Sequence, residues 1–293
     1  QFYLTLYFGK IIMGIIDGKM VASQIKENIT TEVQSLKKKT GKTPGLAVVL
    51  VGDDPASAVY VRNKNKTCNN IGFQSFENIL PANTSESELL ILIHKLNNDE
   101  KVSGILVQLP LPNHIASKKI LEAINPQKDV DGFHLENVGR LVTGHSLFKP
   151  CTPAGIIKLL DKYDVEIEGK NAVIIGRSNV VGKPVAFLLL ERNATVTICH
   201  SRTKNLSNLA RSADILIAAI GKPNFVTADM VKDNSVVIDV GINRLAGKLV
   251  GDVDFSAVLK KASLITPVPG GVGPMTIAML MENTFQAFKN SLK

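Results

Sequence analysis

Tryptophan is absent from the 293 residues, and aromatic side chains make up only 5% of them. Nucleic-acid binding through aromatics interleaved with cations is therefore disfavoured. The chain is nonetheless basic, with a formal net charge of +8. Its Lys and Arg residues are scattered, with one short run at 37–39. Such charge reads as a solvated surface, or as a mild preference for acidic small molecules. The three cysteines, Cys68, Cys151 and Cys199, lie far apart. So do His94, His114, His134, His145 and His200, and neither set has metal-ligand or redox spacing. No structural metal is expected, and separate thiols suit the reducing cytoplasm. Long apolar runs are also missing, so no membrane partner is expected. Residues 1–16 are apolar, but Lys10 interrupts them, Asp17 follows, and no small-residue cleavage site is present. Residues 1–12 are expected to be an extension ahead of Met13.

Hydrophobic residues make up 45% of the chain, enough for a sizeable core. The length allows two domains. Apolar runs at 46–51, 104–108, 215–219 and 236–240 predict strands, as does 73–80. Asp54 and Pro55 suit the N-cap and first position of a helix to about Asn70, with Gly72 closing it. Further helices are predicted at 86–96, 118–124, 152–163 and 276–289. This alternation argues for an α/β chain with mostly parallel sheets. The expected organisation is an α/β lobe over 13–150, joined by the C-terminal helix 276–293, and a Rossmann-like lobe over 151–275. A cleft is expected between them. The stretch 125–150 reads as one long loop, of the kind that is often functional.

The richest segment runs from Asn171 to Arg202. It reads Ala-Val-Ile-Ile, then Gly-Arg-Ser-Asn-Val-Val-Gly-Lys-Pro, an apolar helical run, and Ala-Thr-Val-Thr-Ile-Cys-His-Ser-Arg. That is strand, glycine turn, helix, strand, the layout of a dinucleotide-binding unit. The spacing Gly-x-x-x-x-x-Gly departs from Gly-x-Gly-x-x-Gly, so the glycines alone would also fit a plain tight turn. Gly176 can take backbone angles closed to other residues, and Gly182 sits where helix must approach strand or ligand. The second strand has no Asp or Glu near its end; it has His200, Ser201 and Arg202. A hydroxyl and a cation suit a 2′-phosphate, which favours NADP over NAD. His200 reads better as a strand end.

Four other places could carry chemistry. Tyr60 and Lys64 are four apart on one predicted helix face, with Ser57 a turn earlier. A lysine desolvated near a cleft can shuttle protons. By itself, the run Arg62, Lys64, Lys66 reads better as a solvated face. Gln108 ends a strand, where α/β proteins place ligands, yet alone it reads as a polar residue leaving the sheet. Asp129 and Asp131 in Lys-Asp-Val-Asp-Gly could read adjacent N–H donors or shape an Asp-rich turn. Thr266-Pro-Val-Pro-Gly-Gly-Val-Gly-Pro-Met-Thr276 makes a loop of fixed shape with bare backbone, suited to a flat ligand or phosphate.

Taken together, these motifs resemble the bifunctional methylenetetrahydrofolate dehydrogenase/methenyltetrahydrofolate cyclohydrolase family. Gly-Asp-Asp-Pro-Ala-Ser-Ala-Val-Tyr-Val-Arg-Asn-Lys, Val-Gln-Leu-Pro-Leu-Pro, Lys-Asp-Val-Asp-Gly-Phe, Lys-Pro-Cys-Thr-Pro-Ala-Gly, the glycine turn and Pro-Val-Pro-Gly-Gly-Val-Gly-Pro-Met-Thr occur in order. The resemblance starts at about Gly14. It implies oxidation of 5,10-methylenetetrahydrofolate with NADP, then hydrolysis of the methenyl product to 10-formyltetrahydrofolate. It implies a catalytic Lys64 positioned by Gln108, Tyr60 packed on the folate ring, and Asp131 gripping the pterin edge. Gly270, Gly271 and Pro274 would line the folate side. Arg177, Ser178, Ser201 and Arg202, with Gly176, Gly182 and Ile242, would form the NADP site. Members are usually homodimers. A dehydrogenase lacking the second step, or a binding protein without turnover, are the competing readings.

Overall fold

The structure is a computed structural model and describes residues 6–7, 10–11 and 14–292. Most of the expected N-terminal extension lies outside these residues. The chain divides into two compact units. One comprises Ser23–Cys151 and Ile277–Lys293; the other comprises the chain up to Ala22 and Thr152–Thr276.

Helix α1 (Gly18–Thr40) leads into β1 (Gly45–Val51), the central strand of a three-stranded parallel sheet in the first unit. β1 is buried along its whole length, which accounts for its unbroken apolar run. Helix α2 (Pro55–Asn70) starts as its sequence requires, with Asp54 accepting from the Ser57 amide at 2.7 Å and Pro55 in the first turn. β2 (Gln74–Leu80) pairs along one edge of β1. Helix α3 (Glu86–Asn98) opens on a reciprocal capping box between Ser85 and Glu88. β3 (Gly104–Val107) pairs along the other edge of β1, with Leu46 opposite Gly104. Helix α4 (Ser117–Ala123) follows. Leu89, Ile93, Ile105, Val107 and Ile120 build the core on one face of this sheet.

The stretch 125–150 is not one loop. It contains helix α5 (Leu135–Val142), whose first turn is held by His134 Nδ1 accepting from the Glu136 amide at 3.1 Å. Histidine is a rare N-cap, and only Asn137 and Leu141 of the helix are buried, so little apolar periodicity marks it.

The second unit opens on helix α6 (Cys151–Lys162). Its sheet is wholly parallel and five-stranded, from β4 (Asn171–Ile175), β5 (Thr195–Cys199), β6 (Ile215–Ala218), β7 (Val236–Asp239) and the short β10 (Leu264–Ile265). The spatial order is β10, β7, β6, β4, β5. The chain thus starts at β4, moves out to β5, then returns to the far side of β4. Helices α7 (Gly182–Glu191) and α8 (Leu206–Arg211) follow β4 and β5. A hairpin of β8 (Asn243–Leu245) and β9 (Lys248–Val250) follows β7, ahead of helix α9 (Phe255–Val258). Ile16 donates to the Ile265 carbonyl at 2.9 Å, which ties the stretch before α1 to this unit.

The last helix, α10 (Val272–Ser291), begins four residues before the expected Thr276 and takes in Gly273 and Pro274. Proline fits there because the first helical turn has no carbonyl partner for its missing N–H.

Candidate functional site

In the first unit the candidate groups come from four segments. Tyr60 and Lys64 share a face of α2; Tyr60 is 40% exposed, whereas Lys64 is 9% exposed. Lys64 Nζ donates to Gln108 Oε1 at 3.0 Å. Gln108 in turn donates through Nε2 to the Leu109 carbonyl at 2.8 Å, which fixes its oxygen toward the lysine. Its backbone amide bonds the Val49 carbonyl, so it leaves the end of β3 in a set direction. The sequence alternative of a water-facing Lys64 is thus not what the fold builds.

Asp131 follows a short turn ordered by its neighbour. Asp129 is 1% exposed and accepts from the His134 amide and the Asn137 side chain, each at 2.8 Å. Burial pushes the Asp129 carboxyl above its usual range, and these donors pull it back. The geometry gives Asp129 the loop-shaping part. Burial also raises Asp131; the Lys64 charge opposes that rise and the Asp129 charge adds to it. The nearby Cys151 thiol also favours the charged Asp131 carboxylate, while it donates to the Val130 carbonyl at 3.4 Å. Cys151 itself is driven well up, first by burial and then by the Asp131 charge, so it stays a neutral donor. Cys68, one turn beyond Lys64 on α2, is pushed up to about 12 by burial. Neither thiol is a nucleophile.

Nothing in the local sequence marks Cys151 as more than a buried thiol. Asn283 of α10 is equally unmarked, although its side chain donates to the Val130 carbonyl at 2.8 Å and the Lys149 carbonyl at 2.9 Å. It thereby pins both segments that flank Asp131 and Cys151. A residue 153 positions from its partner leaves no local signature.

In the second unit the turn after β4 is built by two glycines. Gly176 has φ +129°, and a Cβ there would collide with the Ala219 carbonyl. A Cβ on Gly182 would strike the Gly176 carbonyl, so α7 starts directly against the strand end. Ser178 Oγ accepts from the amides of Val181 (3.1 Å) and Gly182 (3.3 Å), which closes the turn onto the first residue of that helix. Arg177 and Ser178 are exposed, as are Ser201 and Arg202 past the end of β5. His200 shapes their turn: its Nδ1 accepts from the Arg202 amide at 3.1 Å. Ile242 is 48% exposed in the loop after β7.

Gly270 and Gly271 are buried and lie against the first turn of α1. The Lys19 backbone amide donates to the Gly270 carbonyl at 3.1 Å, and a Cβ on Gly18 would collide with the Gly271 carbonyl. Part of this glycine density therefore serves close backbone packing; Pro274 is half-buried.

No helix among the described residues is long and apolar enough to cross a membrane.

Residues 16–131 match the family model of the tetrahydrofolate dehydrogenase/cyclohydrolase catalytic domain. Residues 150–292 match that of the NAD(P)-binding domain of the same family. A bifunctional protein FolD from Campylobacter hominis is 60% identical over 282 residues, 96% of this chain and 99% of that protein. The crystal structure of a bifunctional FolD methylenetetrahydrofolate dehydrogenase/cyclohydrolase from Campylobacter jejuni is 55% identical, with a TM-score of 0.93 over 95% of this chain and 99% of its own. A Trypanosoma brucei FolD solved with NADP cofactor and an inhibitor is 40% identical, with a TM-score of 0.92 over 95% and 98%. With both domain models matched in order along nearly its whole length, the chain belongs to the tetrahydrofolate dehydrogenase/cyclohydrolase family.

Proposed function

We propose that this chain oxidises 5,10-methylenetetrahydrofolate with NADP and hydrolyses the 5,10-methenyl product to 10-formyltetrahydrofolate. The observation that carries the reading is the buried Lys64–Gln108 pair, whose ammonium also acts on Asp131. A binding protein without turnover has no use for a lysine desolvated and aimed in this way.

Each role follows from chemistry. Asp131 reads the adjacent N–H donors of the pterin edge. The exposed Tyr60 ring offers a face for the flat ring system. Hydrolysis needs protons moved while water attacks the cationic one-carbon unit and the ring opens; Lys64 Nζ holds and relays them, and Gln108 keeps that nitrogen on target.

The second unit fits NADP. The glycine turn and the N-terminus of α7 suit phosphate, with Arg177 and Ser178 exposed there. Ser201 and Arg202 stand where an NAD-binding strand places an acid, and residues 200–205 contain none. When bound, NADP supplies the ring that accepts the hydride. We also read the protein as a cytoplasmic homodimer on the family pattern; light scattering in solution checks the dimer.

A coupled absorbance assay with methylenetetrahydrofolate tests the reading. Methenyl formation with NADP well above that with NAD is expected. A marked preference for NAD would overturn the role given to Ser201 and Arg202. Accumulation of methenyl with no formyl product would favour the dehydrogenase-only reading.

A further inference from the structure

The second unit buries two carboxylates that the roles above do not use. Asp252 has no exposed surface, and Asp239 is 2% exposed. Asp252 Oδ2 accepts from the amides of Ile220 (2.7 Å) and Gly221 (3.0 Å). Its Oδ1 accepts from the Lys222 amide (2.8 Å) and the Asn243 side chain (2.9 Å). Three successive amides of one loop therefore converge on one carboxylate, an arrangement that otherwise receives an anion. The carboxylate fills that nest from inside the protein. Asp239, the last residue of β7, holds Asp252 in place: its Oδ1 accepts from the amides of Gly241 (3.1 Å) and Asp252 (2.8 Å), and its Oδ2 from that of Val253 (3.0 Å). A Cβ on Gly241 would strike the Asp252 carboxylate, and one on Gly251 would strike that of Asp239. The loops are closed around these two groups with no room to spare.

The place of the knot in the sheet gives it meaning. Strand order reverses at β4, with β5 on one side and β6 on the other. Ligands of open parallel sheets bind outside the carboxyl ends of the strands at such a reversal. The loop after β4 forms one wall there. Ala219, which packs on Gly176, starts the other, and the residues that follow it are the three amides held by Asp252. Asn243 lies next to Ile242 in the loop after β7, so one carboxylate fixes two loops at once. The proposed 2′-phosphate residues, Ser201 and Arg202, follow β5. An extended dinucleotide anchored there reaches across the reversal with its nicotinamide end on the β6–β7 side.

We propose that Asp252, held by Asp239, is a positioning residue for hydride transfer, setting the loops at 219–222 and 240–243 that receive the nicotinamide end of NADP. The proposal rests on the NADP-dependent reading above. It also assigns phosphate binding to the turn after β4, since the amides of 220–222 are already occupied.

The test uses the full chain with Asp252→Asn and Asn243→Ala, the second of which removes a single neutral donor and leaves the buried charge in place. Three readouts are taken: NADP affinity by calorimetry, amide hydrogen exchange at 220–222 without NADP, and hydrolysis of methenyltetrahydrofolate without NADP. In Asp252→Asn, NADP dissociation and the loss of oxidation rate are each expected to change about tenfold, with faster exchange at 220–222 and hydrolysis within about twofold of the parent. Asn243→Ala should move the same readouts about threefold, and it decides the matter if Asp252→Asn does not fold. Unchanged affinity and exchange in Asn243→Ala would overturn the proposal. So would hydrolysis falling in step with oxidation in a variant that melts like the parent. A parent with neither activity would sink the functional reading instead, while affinity and exchange would still decide the part played by Asp252.

Discussion

The two units prepare for ligands in opposite ways. In the first, the candidate proton-handling groups are withdrawn from water and fixed: Lys64 is buried and bonded to Gln108, and burial raises the carboxyl of Asp131. In the second, Arg177, Ser201 and Arg202 face solvent, and the fixed element is backbone, bent around Gly176 and tied down by Asp239 and Asp252. The contrast follows from the work proposed for each. Moving protons needs a group held at one atom in a dry place, whereas gripping phosphates needs amides of set shape and mobile cations around them.

Removing a fixed side chain should therefore cost most. Asp131→Ala removes the carboxylate on which the Lys64 charge acts, and kcat/KM for folate should fall about 100-fold or more in both reactions. A loss confined to one reaction would mean that Asp131 does not bind the shared substrate.

The next largest effect is a pH dependence of stability. Asp239 is raised from 3.8 to about 6, mainly by burial, with the amides of Asp252 and Val253 opposing and the Asp252 charge adding. A carboxyl with the higher pKa in the folded state holds its proton more tightly there. Its stabilising contribution is complete below pH 3.8 and is lost as pH rises through about 6, by about 3 kcal/mol in all. The melting temperature of the parent relative to Asp239→Asn should thus decline between about pH 4 and 6. A flat difference would show that the carboxyl is not raised.

Backbone rigidity in the second unit can be broken directly. Gly176→Ala combines a positive φ with a collision at the Ala219 carbonyl and should cost about 2 kcal/mol by chemical denaturation. The smallest effect belongs to an exposed cation. Arg202→Ala should raise KM for NADP about tenfold and leave KM for NAD alone. Equal changes for both would remove the 2′-phosphate from its assignment.

What could be read in advance was local. The buried strand β1, the Asp54–Pro55 helix start and the glycine turn before α7 each declare themselves within a few residues. Helix α1 is not among the expected elements, although Val21, Ile25, Ile29 and Val33 recur every four residues; Thr30, Thr31 and the lysine tail dilute that signal. Helices α5 and α9 and the β8–β9 hairpin are short, and their apolar residues are too few to show a period. The site divides the same way. Tyr60 and Lys64 are legible as a helical pair, but Gln108 lies 44 positions from Lys64, and only the family motifs join them. Asp252 works through backbone amides, which every residue but proline carries, so nothing in the sequence marks its partners.

In the proposed reaction the amine buried beside Gln108 drives the hydrolytic step. A time course with methylenetetrahydrofolate and NADP, following the methenyl absorbance, tests it most directly in the parent and in Lys64→Ala. Transient methenyl and steady formyl product are expected in the parent, and methenyl that accumulates unhydrolysed in the variant; hydrolysis by Lys64→Ala at the parental rate would remove the amine from the reaction.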